Sequence, residues 1–332
     1  MKNTIKKIFP WIVCLFIFYY LFSQIHPREL LVSLKFANVS LFVLFAVLYF
    51  FVVHILDCLT IKKFISRFSN PISHKECWLV RGVSYIIMII NYHAAQGAFA
   101  VYFKKTHGSS IAKTLGTLAF ISIMDLILVL TCALVALLFS DVSFDGPDIR
   151  SFILGIAPLF YFGYFLWILF WRNVDKPYMN RIKKYKIAVW FLQHNMFLIF
   201  REALFKDYVT LFFYRAPMVL VVIGSYNLAI TAFQAHIDWL MFYLYSPIIM
   251  SISTLPITPA GLGTGQFLVI AFFKNLIQSP LFAGLTTPES LLLASSLTWV
   301  LANQIIKAFF GTACLLMTSK KLFIDDSPVA PC

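Results

Sequence analysis

Residues 254–267 read TLPITPAGLGTGQF, two prolines and three glycines set between the apolar arms YLYSPIIMSIS and LVIAFF. Pro256 and Pro259 each remove a backbone donor, and Gly261, Gly263 and Gly265 weaken helical preference, so the spacing predicts an unwound segment. In hydrocarbon such a segment is tolerated only where protein buries it or where it lines a wet cavity. Interrupted helices of this kind form the binding sites of many transporters.

Working outward, 61% of the 332 residues are hydrophobic, 12% are charged, and mean hydropathy is +0.84. Soluble domains carry about 25% charged residues. Long apolar runs recur from end to end, so the chain reads as one integral membrane domain over residues 1–332. The net charge of +13 sits in short basic loops beside apolar spans, where it orients a membrane protein and meets anionic lipid. Nucleic acid is not the expected partner. Cys14, Cys58, Cys132 and Cys314 lie within apolar segments, while Cys77 and Cys332 are flanking or terminal, and no CxxC or metal-type spacing appears. The N-terminal KKIFPWIVCLFIFYYLF has no small-residue cleavage site after it and reads as an uncleaved first span.

Apolar helices are expected at about 8–25, 39–61, 111–139, 151–172, 209–233 and 289–318. Two regions differ. Residues 78–103 carry a polar interruption, NYHAAQ, and 238–279 hold the opening motif between two short arms. Lysine and arginine after 39–61, before 111–139 and after 151–172 place those loops in the cytoplasm, while Asp141, Asp145 and Asp148 place the 140–150 loop outside. These sides agree if 78–103 enters from the cytoplasm and returns, and 238–279 does the same from the opposite face. The expected fold is therefore an all-α polytopic membrane protein with about six full spans and two re-entrant helical hairpins. They form an inverted repeat over about 39–139 and 209–318; two ordinary kinked spans in place of each hairpin is the other reading. Between the halves, residues 186–207 read as an amphipathic helix on the inner leaflet or as a partly buried connector.

Ionisable residues inside spans are costly and mark function by default. Asp125 lies near the centre of 111–139, and Lys307 near the centre of 289–318 with Asn303 one turn earlier on the same face. Lys307 would neutralise an anionic phosphate, with Asp125 balancing it or relaying a proton; a plain ion pair between the two is the structural alternative. The 256–266 loop, with Thr258, Gly261, Gly263, Gly265 and Gln266, leads into a helix beginning at Thr264, whose N-terminus would attract an anion. A close-packed glycine turn is its alternative. Asn91 and His93, with Gln96, form a matching polar tip in the first hairpin. No HExxH, GxSxG or Walker motif appears, and Thr287 fits an N-cap before Pro288. The chain is accordingly expected to be no enzyme and to need no metal, nucleotide or other cofactor.

LPITPAGLGTGQ resembles the PxTPGGLGxxE signature of the lysylphosphatidylglycerol synthase transmembrane region, a flippase-like family. NYHAAQGAFAVYFKK and the later ISIMDLILVL resemble its N-x-x-x-P-G-x-x-G-E segment and aspartate-bearing helix, and Lys307 stands where arginine is usual. Gln266 replaces the signature glutamate, and the first segment has neither the proline nor the glutamate of its motif, so no role of those glutamates transfers. The resemblance implies movement of an anionic phospholipid or lipid-linked intermediate between leaflets of the inner membrane; Lys2, Lys6 and Lys7 before the first helix and Lys320 and Lys321 after the last place both termini in the cytoplasm. A non-transporting, lipid-binding subunit of an envelope biosynthetic enzyme is the second reading, and partners include a homodimer or such an enzyme. The chain ends at SKKLFIDDSPVAPC without a soluble aminoacyl transferase domain, so synthesis of an aminoacyl lipid is not expected.

The topology carries a direct test. Cysteines placed at Lys183 and at Asp145 should label with impermeant reagent from opposite sides of the membrane; labelling from one side breaks the inverted repeat.

Overall fold

Apolar runs long enough to cross a bilayer fold as helices because only a helix satisfies every backbone group within its own segment. The computed structural model describes residues 15–17, 19–20, 23, 27–139, 149–176, 192, 194–253, 258 and 262–322. Among these the chain is helical without strands, one isolated bridge joining His236 to Gln278. We label the helices α1 (Pro27–Phe36), α2 (Val39–Phe68), α3 (His74–Ile90), α4 (Tyr92–His107), α5 (Ile111–Phe139) and α6 (Ile149–Asn173). They continue as α7 (Leu198–Glu202), α8 (Phe205–Ala232), α9 (Trp239–Ser253), α10 (Thr264–Phe273) and α11 (Pro288–Leu322). Five of them, α2, α5, α6, α8 and α11, are long and apolar enough to cross a membrane. Most of the expected first span, 8–25, lies outside the described residues, as do Asp141, Asp145 and Asp148.

Two boundaries differ from expectation for one reason. Helix α2 runs on to Phe68 rather than ending near 61, and α8 starts at Phe205 rather than 209. Lysine and arginine are good helix formers, so a helix outlasts its apolar stretch when its charged end meets water. Residues 78–103 form a helical pair, α3 packed along α4, hinged at Asn91. Asn91 has extended dihedrals (φ −155°, ψ 119°), its N–H donates to the Ile87 carbonyl of α3, and its Oδ1 accepts from Ala94 N of α4 at 2.9 Å. One residue thus caps both helices. Helices α9 and α10 also pack together, and most of the expected unwound stretch between them, 254–257 and 259–261, lies outside the described residues. At its far end Gly263 adopts φ +84°, which favours glycine, and Gln266 Oε1 accepts from Gly263 N at 2.7 Å.

The chain divides into two compact units. The first comprises residues up to 53, 125–161 and 216–303; the second comprises 54–124, 162–215 and 304 onward. These units do not follow the boundaries of the two expected repeats, since each draws on both halves of the sequence. In the first, Phe42 sets its ring edge-on to Phe233 and Trp299, each 5.8 Å away, and Phe242 stacks on Phe273 at 5.0 Å. The start of α11 is fixed by Thr287 and Ser290, whose hydroxyls donate to Glu29 Oε2 at 2.9 and 2.8 Å, while Thr287 Oγ1 accepts from Ser290 N at 3.4 Å. Its N-cap is the expected one.

The second unit is built on aromatic side chains: Phe64, Phe68, Phe120, Phe200 and Tyr208 make a chain of ring contacts between 5.0 and 6.2 Å. Ile199 and Phe200 of α7 are buried while Arg201, Glu202 and Leu204 are exposed, so the described part of the 186–207 segment is partly buried. Helices α3 and α11 approach through glycines. A Cβ on Gly82 would fall on Cys314 Sγ, and one on Gly311 would lie 2.9 Å from the Gly82 carbonyl oxygen and 2.8 Å from Ile86 Cγ1. Small residues permit such close backbone approach between membrane helices. Gly311→Ala therefore overpacks a backbone contact and should cost about 1–3 kcal/mol. The check is the thermal unfolding midpoint in detergent; an unchanged midpoint means the two helices yield freely.

Candidate functional site

The inward faces of three helices of the second unit follow helical spacing. His54, Asp57, Cys58 and Ile61 of α2, Cys77, Arg81, Ser84 and Tyr85 of α3, and Tyr208, Leu211 and Arg215 of α8 are all buried. Charge thus sits in stripes that are otherwise apolar, and only mutual pairing makes that tolerable. Asp57 supplies the pairing: Arg81 Nε donates to Oδ2 and Arg215 Nη1 donates to Oδ1, both at 2.6 Å. The three residues are 4%, 6% and 3% exposed.

The aspartate neutralises only one of its two arginines. Around it, His54 Nδ1 lies 2.9 Å from Tyr85 Oη, and the His54 ring stands edge-on to Trp78 and Phe310 at 4.2 and 4.8 Å. The Arg81 guanidinium carbon lies 5.6 Å from the centre of the Tyr85 ring, one turn farther along α3. Among the described residues Arg81 Nη1 is buried without a hydrogen-bond partner.

The glycine contacts fix the register of α11 against α3. Position 82 faces 310 and 314, and position 86 faces 311, so the helices are antiparallel. One further turn along each carries 311 to Lys307 and 86 to Ile90, which puts Lys307 at the level of the Asn91 hinge. Lys307 is half-buried and within electrostatic range of Arg81. Among the described residues no hydrogen bond or ion pair reaches its ammonium group.

The residues expected from sequence are distributed as follows. Lys307, Asn91 and His93 belong to the second unit; Asn91 serves as the double cap, and His93 is exposed beside it. Asp125, Thr258, Gly263, Gly265, Gln266 and Asn303 belong to the first. There Thr258 and Thr264 are buried with their hydroxyl oxygens 3.0 Å apart, at the start of α10, and Gly265 follows within its first turn. Gln266 keeps the carbonyl that caps Gly263 and lacks the charge of a glutamate. Asn303 donates to the Trp299 carbonyl at 2.8 Å, and its Oδ1 is unpaired among the described residues. Gly261 lies outside the described residues. Among the described residues no group of three histidine, cysteine or acidic side chains is placed to hold a metal.

Sequence reasoning passes over Asp57, Arg81 and Arg215. The rule that singles out Asp125 and Lys307, a charge within an apolar run, applies to them equally. They escape it because they stand near the ends of their runs, where a charge ordinarily reaches water. Cys77, read as flanking, is fully buried, its thiol donating to the Cys58 carbonyl at 3.5 Å.

Because Asp57 holds two buried guanidinium groups, Asp57→Asn removes the charge that pairs with each of them. Breaking a buried pair in this way costs about 3–5 kcal/mol. The expected outcome is a large fall in the unfolding midpoint of the purified protein; a midpoint within a degree of the parent shows that water reaches the arginines.

No curated protein and no solved structure matches the chain in full-sequence or fold comparison. A family model does: that of the lysylphosphatidylglycerol synthase TM region, over residues 8–311. The match spans nearly all of the sequence and takes in both interrupted segments and the helices around them. The chain belongs to the lysylphosphatidylglycerol synthase transmembrane region family.

Proposed function

We propose that this chain is a flippase-like transporter that moves an anionic phospholipid or lipid-linked intermediate between the leaflets of the inner membrane, without an enzymatic step. In this reading the pairs α3–α4 and α9–α10 are re-entrant hairpins entering from opposite faces, about six spans surround them, and both termini are cytoplasmic. The observation that carries it is Lys307, a cation at the level of the α3–α4 hinge with no counter-charge among the described residues. Such a lysine costs about 2.5–3.5 kcal/mol at the centre of a membrane helix. A lipid phosphate offsets that cost on each visit while its tails remain in hydrocarbon. Membership of a family associated with lipid handling agrees with this reading.

The test is transfer of a fluorescent anionic lipid between leaflets of vesicles containing the purified protein, without nucleotide. Parent protein and Lys307→Arg should accelerate transfer over empty vesicles, since a guanidinium also binds phosphate, whereas Lys307→Met should fall at least tenfold toward the empty-vesicle rate. Parent protein that binds the lipid yet leaves transfer at the empty-vesicle rate is the non-transporting subunit instead.

A further inference from the structure

We infer that Cys58 and Cys77 are an oxidation-responsive thiol pair, which hydrogen peroxide converts to a disulfide joining α2 to α3 across their buried seam. The inference assigns a modification site within the second unit and does not rest on the transport reading.

Three pairs of side chains bridge α2 and α3. His54 meets Tyr85 at 2.9 Å, Asp57 meets Arg81 at 2.6 Å, and the thiol of Cys58 lies within hydrogen-bonding reach of the thiol of Cys77. Partners move back along one helix as they advance along the other, so the helices are antiparallel, and the cysteines close the seam at the end nearer the connection over 69–73. Each thiol also reaches the other's backbone: Cys77 Sγ donates to the Cys58 carbonyl at 3.5 Å, and Cys58 Sγ lies 4.0 Å from the Cys77 carbonyl oxygen. Both side chains therefore point across the seam rather than apart, as a disulfide requires. From the other side the His54 ring nitrogens, 3.8 and 3.7 Å from Cys58 Sγ, keep that thiol turned inward. Cys58 is 5% exposed and Cys77 0%.

A lone buried cysteine is ordinarily inert, and oxidation past the sulfenic acid is in general not reversed. A second thiol in contact changes that course, because it captures the sulfenic acid before more oxidant arrives. Burial selects the oxidant: a bulky disulfide cannot approach sulfurs covered to this degree, whereas hydrogen peroxide is uncharged and little larger than water. In the first step one sulfur attacks a peroxide oxygen; the O–O bond breaks, the sulfur gives up two electrons, and the thiol proton ends on the departing oxygen as water. In the second step the other sulfur attacks the sulfenic acid; the S–S bond forms, the S–O bond breaks, and the second thiol proton leaves with the oxygen as water. Two thiols and one peroxide thus give one disulfide and two waters. The sulfurs have only to close from contact to about 2.05 Å, and the Asp57–Arg81 pair beside them already holds the two helices in register. Once formed, the bond ties α3, and with it the paired α4, to α2.

The experiment uses the purified full chain in uncharged detergent, freed of reductant and exposed to hydrogen peroxide while folded. Remaining thiols are then blocked with a maleimide in denaturant, and the chain is cut with trypsin, which cleaves at Lys62, Lys63, Arg67 and Lys75 between the two cysteines. The expected product is a joined pair of peptides carrying Cys58 and Cys77, lighter than their sum by two hydrogens and separated by dithiothreitol. Both thiols should be lost to maleimide together, and the unfolding midpoint should rise, because the cross-link closes the intervening loop in the unfolded chain. Cys77→Ser should give neither the joined peptides nor the rise, while Cys314→Ser, which removes the cysteine facing Gly82, should give both. If Cys77→Ser does not fold, the peptide map of the parent decides alone. Cys58 and Cys77 still open to maleimide after peroxide overturn the inference; so does either of them joined to Cys314, or carried to the sulfonic acid while the other stays a thiol. A joined product that appears only when peroxide is added to denatured protein overturns it as well.

Discussion

A carboxylate inside an apolar helix bundle has to be neutralised where it stands, and Asp57 is neutralised twice. Its two oxygens each accept one short bond from a buried arginine, one on α3 and one on α8, so three segments far apart in sequence meet at a single side chain. Desolvation of the ions is repaid only if geometry is good and every remaining donor finds a partner. Most do. The exception among the described residues is Nη1 of Arg81, which is buried without a hydrogen-bond partner.

The interrupted helices obey a related constraint. A helix end in hydrocarbon exposes backbone groups that water cannot reach, so each break must carry its own caps. Asn91 meets this demand with two bonds, accepting with its side chain for one helix and donating with its backbone for the other. Gly263 and Gln266 meet it differently, through left-handed backbone and an amide carbonyl. A glutamine serves that cap as well as a glutamate does, and brings no charge into a buried position.

Close packing then sets the register on which the candidate site depends. Where Gly82 and Gly311 meet, side chains are absent and backbones touch, which allows little sliding of α11 along α3. The position of Lys307 relative to the hinge follows from that contact. A lysine one turn away in either direction would face a different part of the hairpin.

Sequence alone determined the class of this protein, the long helices, the two interrupted regions, the cap at Thr287 and the helix start at Thr264, because these depend on hydropathy, on proline and glycine chemistry and on neighbours a few residues away. It also showed Lys307 as a costly charge. Tertiary structure alone decided which charges matter together. Asp57, Arg81 and Arg215 are 24 and 158 residues from their partners in the chain, and no local pattern links them. Their positions near the ends of apolar runs resembled those of solvated charges until packing buried them. Which atom was left unpaired could be decided only in three dimensions, because a hydrogen bond depends on distance and direction and periodicity in a sequence records neither.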